Sequence, residues 1–270
     1  PVTYFAKFIG LFIGYILAAK FGLALSVVNG FAFVFWVPSG LALAVLILWP
    51  EKHMWPAIAL AGFVANYSAG AGFLTAMIVA FGVSLQIIVG KYLLERIPAF
   101  SPRLATVPSV IYFIFPIAIV TPIISAVIGV GALWIDGSIP STQLALAVMS
   151  WWAGDVISVL TLCPLVLVWT TAKKPIFSIA KTCEAVFIAV SLITGSILVF
   201  HSDATHVSYP VAYMVFPLLI WSAFRFQQLG AVTGSFIVVA ITVAATNGGL
   251  GPFGMGSLID NFFYLQLFQG

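Results

Sequence analysis

Charge is what this sequence has least of: 6% of its 270 residues are Asp, Glu, Lys or Arg, against 63% that are hydrophobic. A soluble domain carries about 25% charged residues, so the scarcity excludes a surface that lies mostly in water. Ionisable groups are rare in membranes because each costs several kcal/mol to bury in hydrocarbon. Histidine is nearly missing as well. His53, His201 and His206 are the only three, and no two stand three or four apart within an apolar run. Intramembrane haem or zinc therefore has no ready ligands, no cofactor is expected, and no Ser, His and Asp share a depth at which to form a catalytic set. Cysteine is limited to Cys163 and Cys183, without Cys-x-x-Cys spacing, which excludes a disulfide framework and leaves both as packing residues. The net charge of +3 comes from ten scattered Lys and Arg that form no basic patch, so nucleic acid is not an expected partner. No charged n-region, apolar h-region and cleavage site follow one another at the start. The chain reads as a piece of a longer protein, residues 1–270 forming a single integral-membrane domain.

What is present in abundance is apolar runs of helix length. About 20 such residues span a hydrocarbon core of roughly 30 Å. Breaks in hydropathy place membrane segments at about 5–28, 31–50, 56–70, 73–95, 107–133, 142–171, 182–201, 209–225, 229–247 and 257–270. The count falls to eight if 31–70 holds a re-entrant hairpin. The polar connections "RIPAFSPRLATVPS", "IDGSIPST" and "HSDATHVS" are too short to fold alone. The expected fold is an all-α polytopic transmembrane bundle of eight to ten segments, some short or broken, since helices satisfy their own backbone in lipid.

Basic residues orient that bundle. With ten crossings and the N-terminus inside, Lys7, Lys52, Arg96, Arg103, Lys173, Lys174, Lys181 and Arg225 fall at cytoplasmic ends. Lys91 lies within snorkelling reach of one. Lys20 alone disagrees. Both termini are expected in the cytoplasm.

Several stretches interrupt the apolar pattern. In "FVFWVPSGLALAVLILWPEKHMWP" a helix starting at Pro38 reaches Pro50 in 13 residues, or about 20 Å, too short to cross. Irregular backbone must supply the rest, and it is tolerated at membrane depth only where protein covers it or a cavity is lined. The free N–H groups of a half-helix suit an anionic or polar ligand; an ordinary proline kink is the plainer reading. In "SWWAGDVISVLTLCPLVLVW" Asp155 is an intramembrane carboxylate, a functional candidate or a hydrogen-bonded anchor. Trp151 and Asp155 share a helix face, as do Gly154 and Ser158. In "LLIWSAFRFQQLGAV" Arg225 either snorkels or pairs with Asp155 or Glu184. The run "TNGGLGPFGMG" has five glycines and no following Lys, so it is an outer turn and not a phosphate loop. Asn66, in the small-residue run "LAGFVANYSAGAGF", is placed to hydrogen-bond between helices.

Taken in order, "FWVPSGLALAVLILWPEKHMWPAIALAGFVANYSAG", "WWAGDVISVLTLCPLVLVW", "WSAFRFQQLGA" and "GLGPFG" resemble the first type of bacterial membrane-associated sensor domain, over nearly the whole chain. The family's recurring positions map onto Trp36, Pro38, Ser39, Gly40, Trp55, Pro56 and Asn66 in the first half, and onto Gly154, Asp155, Pro164, Trp221, Arg225, Gly251 and Pro252 in the second. The resemblance implies an N-terminal sensory module of the bacterial inner membrane, followed by a cytoplasmic histidine kinase, diguanylate cyclase, phosphodiesterase or PAS domain. The expected ligand is a small or amphipathic molecule, or a partner membrane protein, held between the Pro38 break and the face of Trp151 and Asp155. A homodimer is compatible with that role. A small-molecule transporter is the alternative, favoured by the broken helix, the buried carboxylate and the Gly-rich loop.

Overall fold

In the computed structural model the described residues are 2–24, 26–28, 32–33, 35–49, 53–98, 100–172, 178–201, 212–248, 250–251 and 268. Among them, six helical runs are long and apolar enough to cross a membrane. The chain packs as two compact units, Pro1–Cys163 and Pro164–Gly270.

The first unit opens with α1 (Val2–Ala24), followed by a small antiparallel pair, β1 (Ser26–Val28) and β2 (Ala32–Phe33). Helix α2 (Val37–Leu48) begins where a proline is best tolerated, Pro38 lying in the first turn. Its 12 residues rise about 18 Å. The segment expected at 31–50 is thus a short helix preceded by non-helical backbone. Helices α3 (Trp55–Ser68) and α4 (Phe73–Glu95) follow, joined by a turn in which Gly70 takes a positive φ of 99°. The next span is composite: α5 (Val107–Tyr112), a π-helical stretch Phe113–Val120, and α6 (Pro122–Ile135). Pro116 lies inside the π stretch; with no N–H to donate and a ring that crowds the preceding turn, it suits a wider helix. Trp152 steadies that stretch by donating its indole N–H to the Ile119 carbonyl at 2.8 Å. After a 3₁₀ turn, Ser141–Gln143, helix α7 (Leu144–Thr171) runs past the boundary between the units.

Small residues set the packing and reveal direction. Gly82 of α4 faces Ser125 and Ile128 of α6, while Gly90 faces Ile117 and Thr121, so α4 and the composite span run antiparallel. Gly14 and Gly22 of α1 meet Leu41 and Trp36, which makes α1 and α2 antiparallel. In contrast, Trp36 meets Gly154 and Gly40 meets Ser158, a constant offset that makes α2 and α7 parallel. At one end of the unit, Lys7 lies over the Trp49 ring at 5.3 Å and Lys91 Nζ reaches the Trp49 carbonyl at 3.5 Å. Basic groups from α1 and α4 thus gather at the C-terminal end of α2.

The second unit contains the end of α7, α8 (Ile179–Phe200) and α9 (Phe216–Asn247), with a 3₁₀ turn at Tyr213–Val215. Ser178 caps α8 by accepting from the Lys181 N–H. Segments 209–225 and 229–247 are not joined as one straight rod. Gln227 adopts φ 52° and ψ −135°, and a Cβ on Gly234 would lie 3.1 Å from Leu219 Cδ2. In a straight helix those residues stand about 22 Å apart. The helix therefore doubles back at Gln227, and Ser222 Oγ ties the two limbs by donating to the Gly230 carbonyl at 2.9 Å. The segment expected at 257–270 lies outside the described residues, apart from Phe268.

Exposed side chains match lipid surroundings: Phe5, Leu74, Leu198 and Phe224 are among many large apolar residues on the outer surface. A soluble protein would not leave so much of its apolar surface uncovered.

Candidate functional site

The first unit brings the Pro38 break and the Asp155 helix into direct contact. Asp155 is 0% exposed. Ser39, in the first turn of α2, donates to its Oδ1 at 2.6 Å, and Ser125 of α6 donates to its Oδ2 at 2.6 Å. Each carboxylate oxygen thus has a hydroxyl donor, and no ion pair to Asp155 occurs among the described residues. The start of α2 also contributes the partial positive charge of a helix N-terminus.

Several backbone groups at that end are also bonded within the chain. Pro38 has no N–H. The Ser39 N–H closes on the Trp36 carbonyl at 3.2 Å, and Gly40 N–H donates to Ser158 Oγ at 3.0 Å. Ser158 Oγ in turn donates to the Val37 carbonyl at 3.3 Å, and Trp36 N–H reaches the Gly154 carbonyl at 3.2 Å. The Asp155 carboxyl group meets this helix start through the Ser39 hydroxyl.

Two glycines allow this approach. A Cβ at Gly40 would overlap the Ser158 carbonyl and stand 2.8 Å from its Oγ, and a Cβ at Gly129 would stand 2.8 Å from the Trp151 ring. Trp151 itself is buried against α6. Trp36 and Tyr15 of α1 are both buried.

Of the residues singled out in the sequence, Trp36, Pro38, Ser39, Gly40, Trp151, Gly154 and Asp155 therefore form one buried assembly. Where a ligand is expected, between the break and the Trp151–Asp155 face, Ser39 of α2 and Asp155 of α7 are in direct contact. Asn66 is elsewhere: its amide donates to the Gly62 carbonyl of its own helix at 2.8 Å and not, among the described residues, across to a neighbouring one. Trp55 and Pro56 form the first turn of α3.

In the second unit, Arg225 answers the choice of partner: it pairs with Glu184, the Arg225 Nη2 lying 2.6 Å from Glu184 Oε2 while Nε engages Oε1. Two parallel N–H···O bonds are the geometry in which guanidinium and carboxylate bind most specifically. Trp221 packs edge-to-face on Phe187 at 5.9 Å. Gly251 has φ 76°, and a Cβ there would overlap the Phe200 carbonyl, so Gly251 lies tight against the end of α8. Pro252 lies outside the described residues, and Pro164 is carried inside α7.

Sequence reasoning missed Ser125, Gly129 and Tyr15. Ser125 and Gly129 stand four apart in the apolar run "PIISAVIGVGALW", a shared face that could have marked the close contact with α7. Nothing local marks Tyr15.

The family model for MASE1, the membrane-associated sensor domain, matches residues 9–270, nearly the whole chain. The chain belongs to the MASE1 family. It is therefore a multi-pass, membrane-embedded sensory input domain, and the Asp155 assembly is part of a MASE1 fold. Comparison with curated proteins and with solved structures found no match. Among the described residues no group of three or more His, Cys, Asp or Glu is placed to hold a metal ion.

Proposed function

We propose that this MASE1 domain is the input module of a bacterial inner-membrane signalling protein, with both termini cytoplasmic, and that it regulates a histidine kinase or cyclic-di-GMP output domain. The family match across residues 9–270 carries this reading. A small or amphipathic ligand, or a membrane partner, would act by preferring one helix arrangement over another, since a ligand shifts such an equilibrium only by its differential affinity. The Ser39–Asp155–Ser125 clamp supports a role for the first unit as a fixed frame, because its polar groups have partners within the chain. Cytoplasmic kinase and cyclase domains that act as dimers would make the input domain a dimer too.

The test uses the full-length parent protein in inner-membrane vesicles, following autophosphorylation and cyclic-di-GMP turnover. Asp155→Asn and Gly40→Leu are expected to change output while the protein still inserts. Unchanged output in both, with insertion intact, would remove the first unit from signalling. Transport is the second reading, because a broken helix pointing at an intramembrane carboxylate also suits a carrier. Solute flux across those vesicles without any kinase or cyclic-di-GMP activity would put transport first.

A further inference from the structure

The second unit holds a half-enclosed cavity of about 300 Å³. Its walls come from the end of α7, the first half of α8, and both limbs of α9. Alanines and glycines make the room: Ala185 and Ala189 on α8, Gly230 and Gly234 on the returning limb of α9. Trp169 and Phe226 supply aromatic wall, and Ile188, Leu192, Leu229 and Ile237 most of the rest.

The polar donors on this wall are largely committed. Trp169 donates its indole N–H to Thr233 Oγ1 at 2.9 Å, and Ser222 donates to the Gly230 carbonyl at 2.9 Å. The indole N–H and the Ser222 hydroxyl are thus spent, and the rest of the lining is nearly all hydrocarbon. A site that offers mainly hydrocarbon contacts selects hydrocarbon. The volume lies at the bottom of the usual range for small-molecule pockets, about 300–1,000 Å³. The half-enclosed slot therefore has room for part of an acyl chain, the remainder lying outside it. Glu184 and Arg225 directly precede the lining residues Ala185 and Phe226, so their bidentate ion pair lies alongside the cavity. That places charge beside a hydrocarbon slot, the arrangement an amphiphile's head and tail require.

We propose that this cavity is a binding site for a single acyl chain, with its polar head left beside the Glu184–Arg225 pair. The chain has two sources, a bilayer phospholipid or a free fatty acid. It would occupy the site whichever output the domain controls. Filling the slot would brace the two limbs of α9 against α8; emptying it would leave Gly230 and Gly234 facing a void.

The purified full-length protein is reconstituted in nanodiscs and exposed to a diazirine-bearing palmitate, or to phosphatidylcholine carrying the same diazirine in one tail. Photolabelled residues are then located by mass spectrometry. Labelling should concentrate on Ile188, Ala189, Leu192 and Gly234, above that on the outward-facing residues Phe187 and Val190 of α8. Excess unlabelled palmitate should compete if the free acid is the occupant. Labelling from the phospholipid arm alone would identify a bilayer lipid. Ala189→Phe fills the slot and should lower labelling at the lining to the level seen at Phe187 and Val190. Thr233→Val, which keeps the volume and removes the Trp169 bond, should retain it. Labelling in the wild-type protein that is no greater at the lining than at Phe187 and Val190, in both arms, would overturn the proposal without recourse to either variant.

Discussion

Gly40→Ala should destabilise this domain, although alanine is the better helix former. The glycine sits in α2 where a Cβ would overlap the Ser158 backbone carbonyl, and backbone does not swing aside. Relief requires moving α2 away from α7. That motion strains the Trp36 N–H to Gly154, Ser39 to Asp155 and Gly40 N–H to Ser158 bonds together. Intramembrane hydrogen bonds average about 0.6 kcal/mol and reach about 1.7 kcal/mol, so three lost bonds cost roughly 2–5 kcal/mol. Alanine returns up to about 1 kcal/mol of helix propensity, which leaves a net loss of about 1–4 kcal/mol. Unfolding in mixed micelles with increasing SDS, followed by circular dichroism, measures the difference. Gly10→Ala supplies the control: nothing lies within 4 Å of that Cβ, so the same chemical change should stabilise by about 0.5–1 kcal/mol. If Gly40→Ala were as stable as the parent, or more so, the close packing of α2 on α7 would be wrong.

Three further outcomes follow from the geometry. Ser39→Ala and Ser125→Ala should each cost about 1–3 kcal/mol by leaving a carboxylate oxygen of Asp155 without its donor; in an Asp155→Leu background the same changes should cost much less, and a cycle with no coupling would exclude the clamp. Gly129→Ala should lose about 1–3 kcal/mol by overpacking against Trp151, and Trp151→Phe, which removes the overlapped part of the indole, should recover part of that loss; full additivity would place the clash elsewhere. Cys183 is exposed near the start of α8 whereas Cys163 is buried, so a membrane-impermeant maleimide should label Cys183 in inside-out vesicles and not in intact spheroplasts. Labelling only from outside would invert the assigned orientation.

Composition alone determined that this is a membrane protein, because 6% charge cannot clothe a surface in water. Hydropathy breaks located α3, α4, α7 and α8 to within a few residues, since each lies between turn or charge signals that a helix in lipid cannot ignore. Pro38 marked the start of α2 for the same local reason: it has no N–H and belongs in a first turn. The hydropathy break between segments 209–225 and 229–247 likewise separated the two limbs of α9, and the backbone reverses within it, at Gln227. That the limbs fold directly back on one another is a matter of Gly230 and Gly234 fitting against Ser222 and Leu219, which no local pattern states.

The partners of Asp155 were decided by tertiary structure alone. The carboxylate was conspicuous in its apolar run, yet Ser39 and Ser125 stand 116 and 30 residues away, and a serine in an apolar helix carries no label naming its acceptor. The sequence showed a helix N-terminus wanting an anion and a carboxylate wanting donors. Only the parallel packing of α2 on α7, with α6 closing the other side, joined the two. The same holds for the cavity in the second unit: its small residues lie on α8 and on the returning limb of α9. Their shared void exists only once those helices pack, because side-chain volume becomes space only between neighbours.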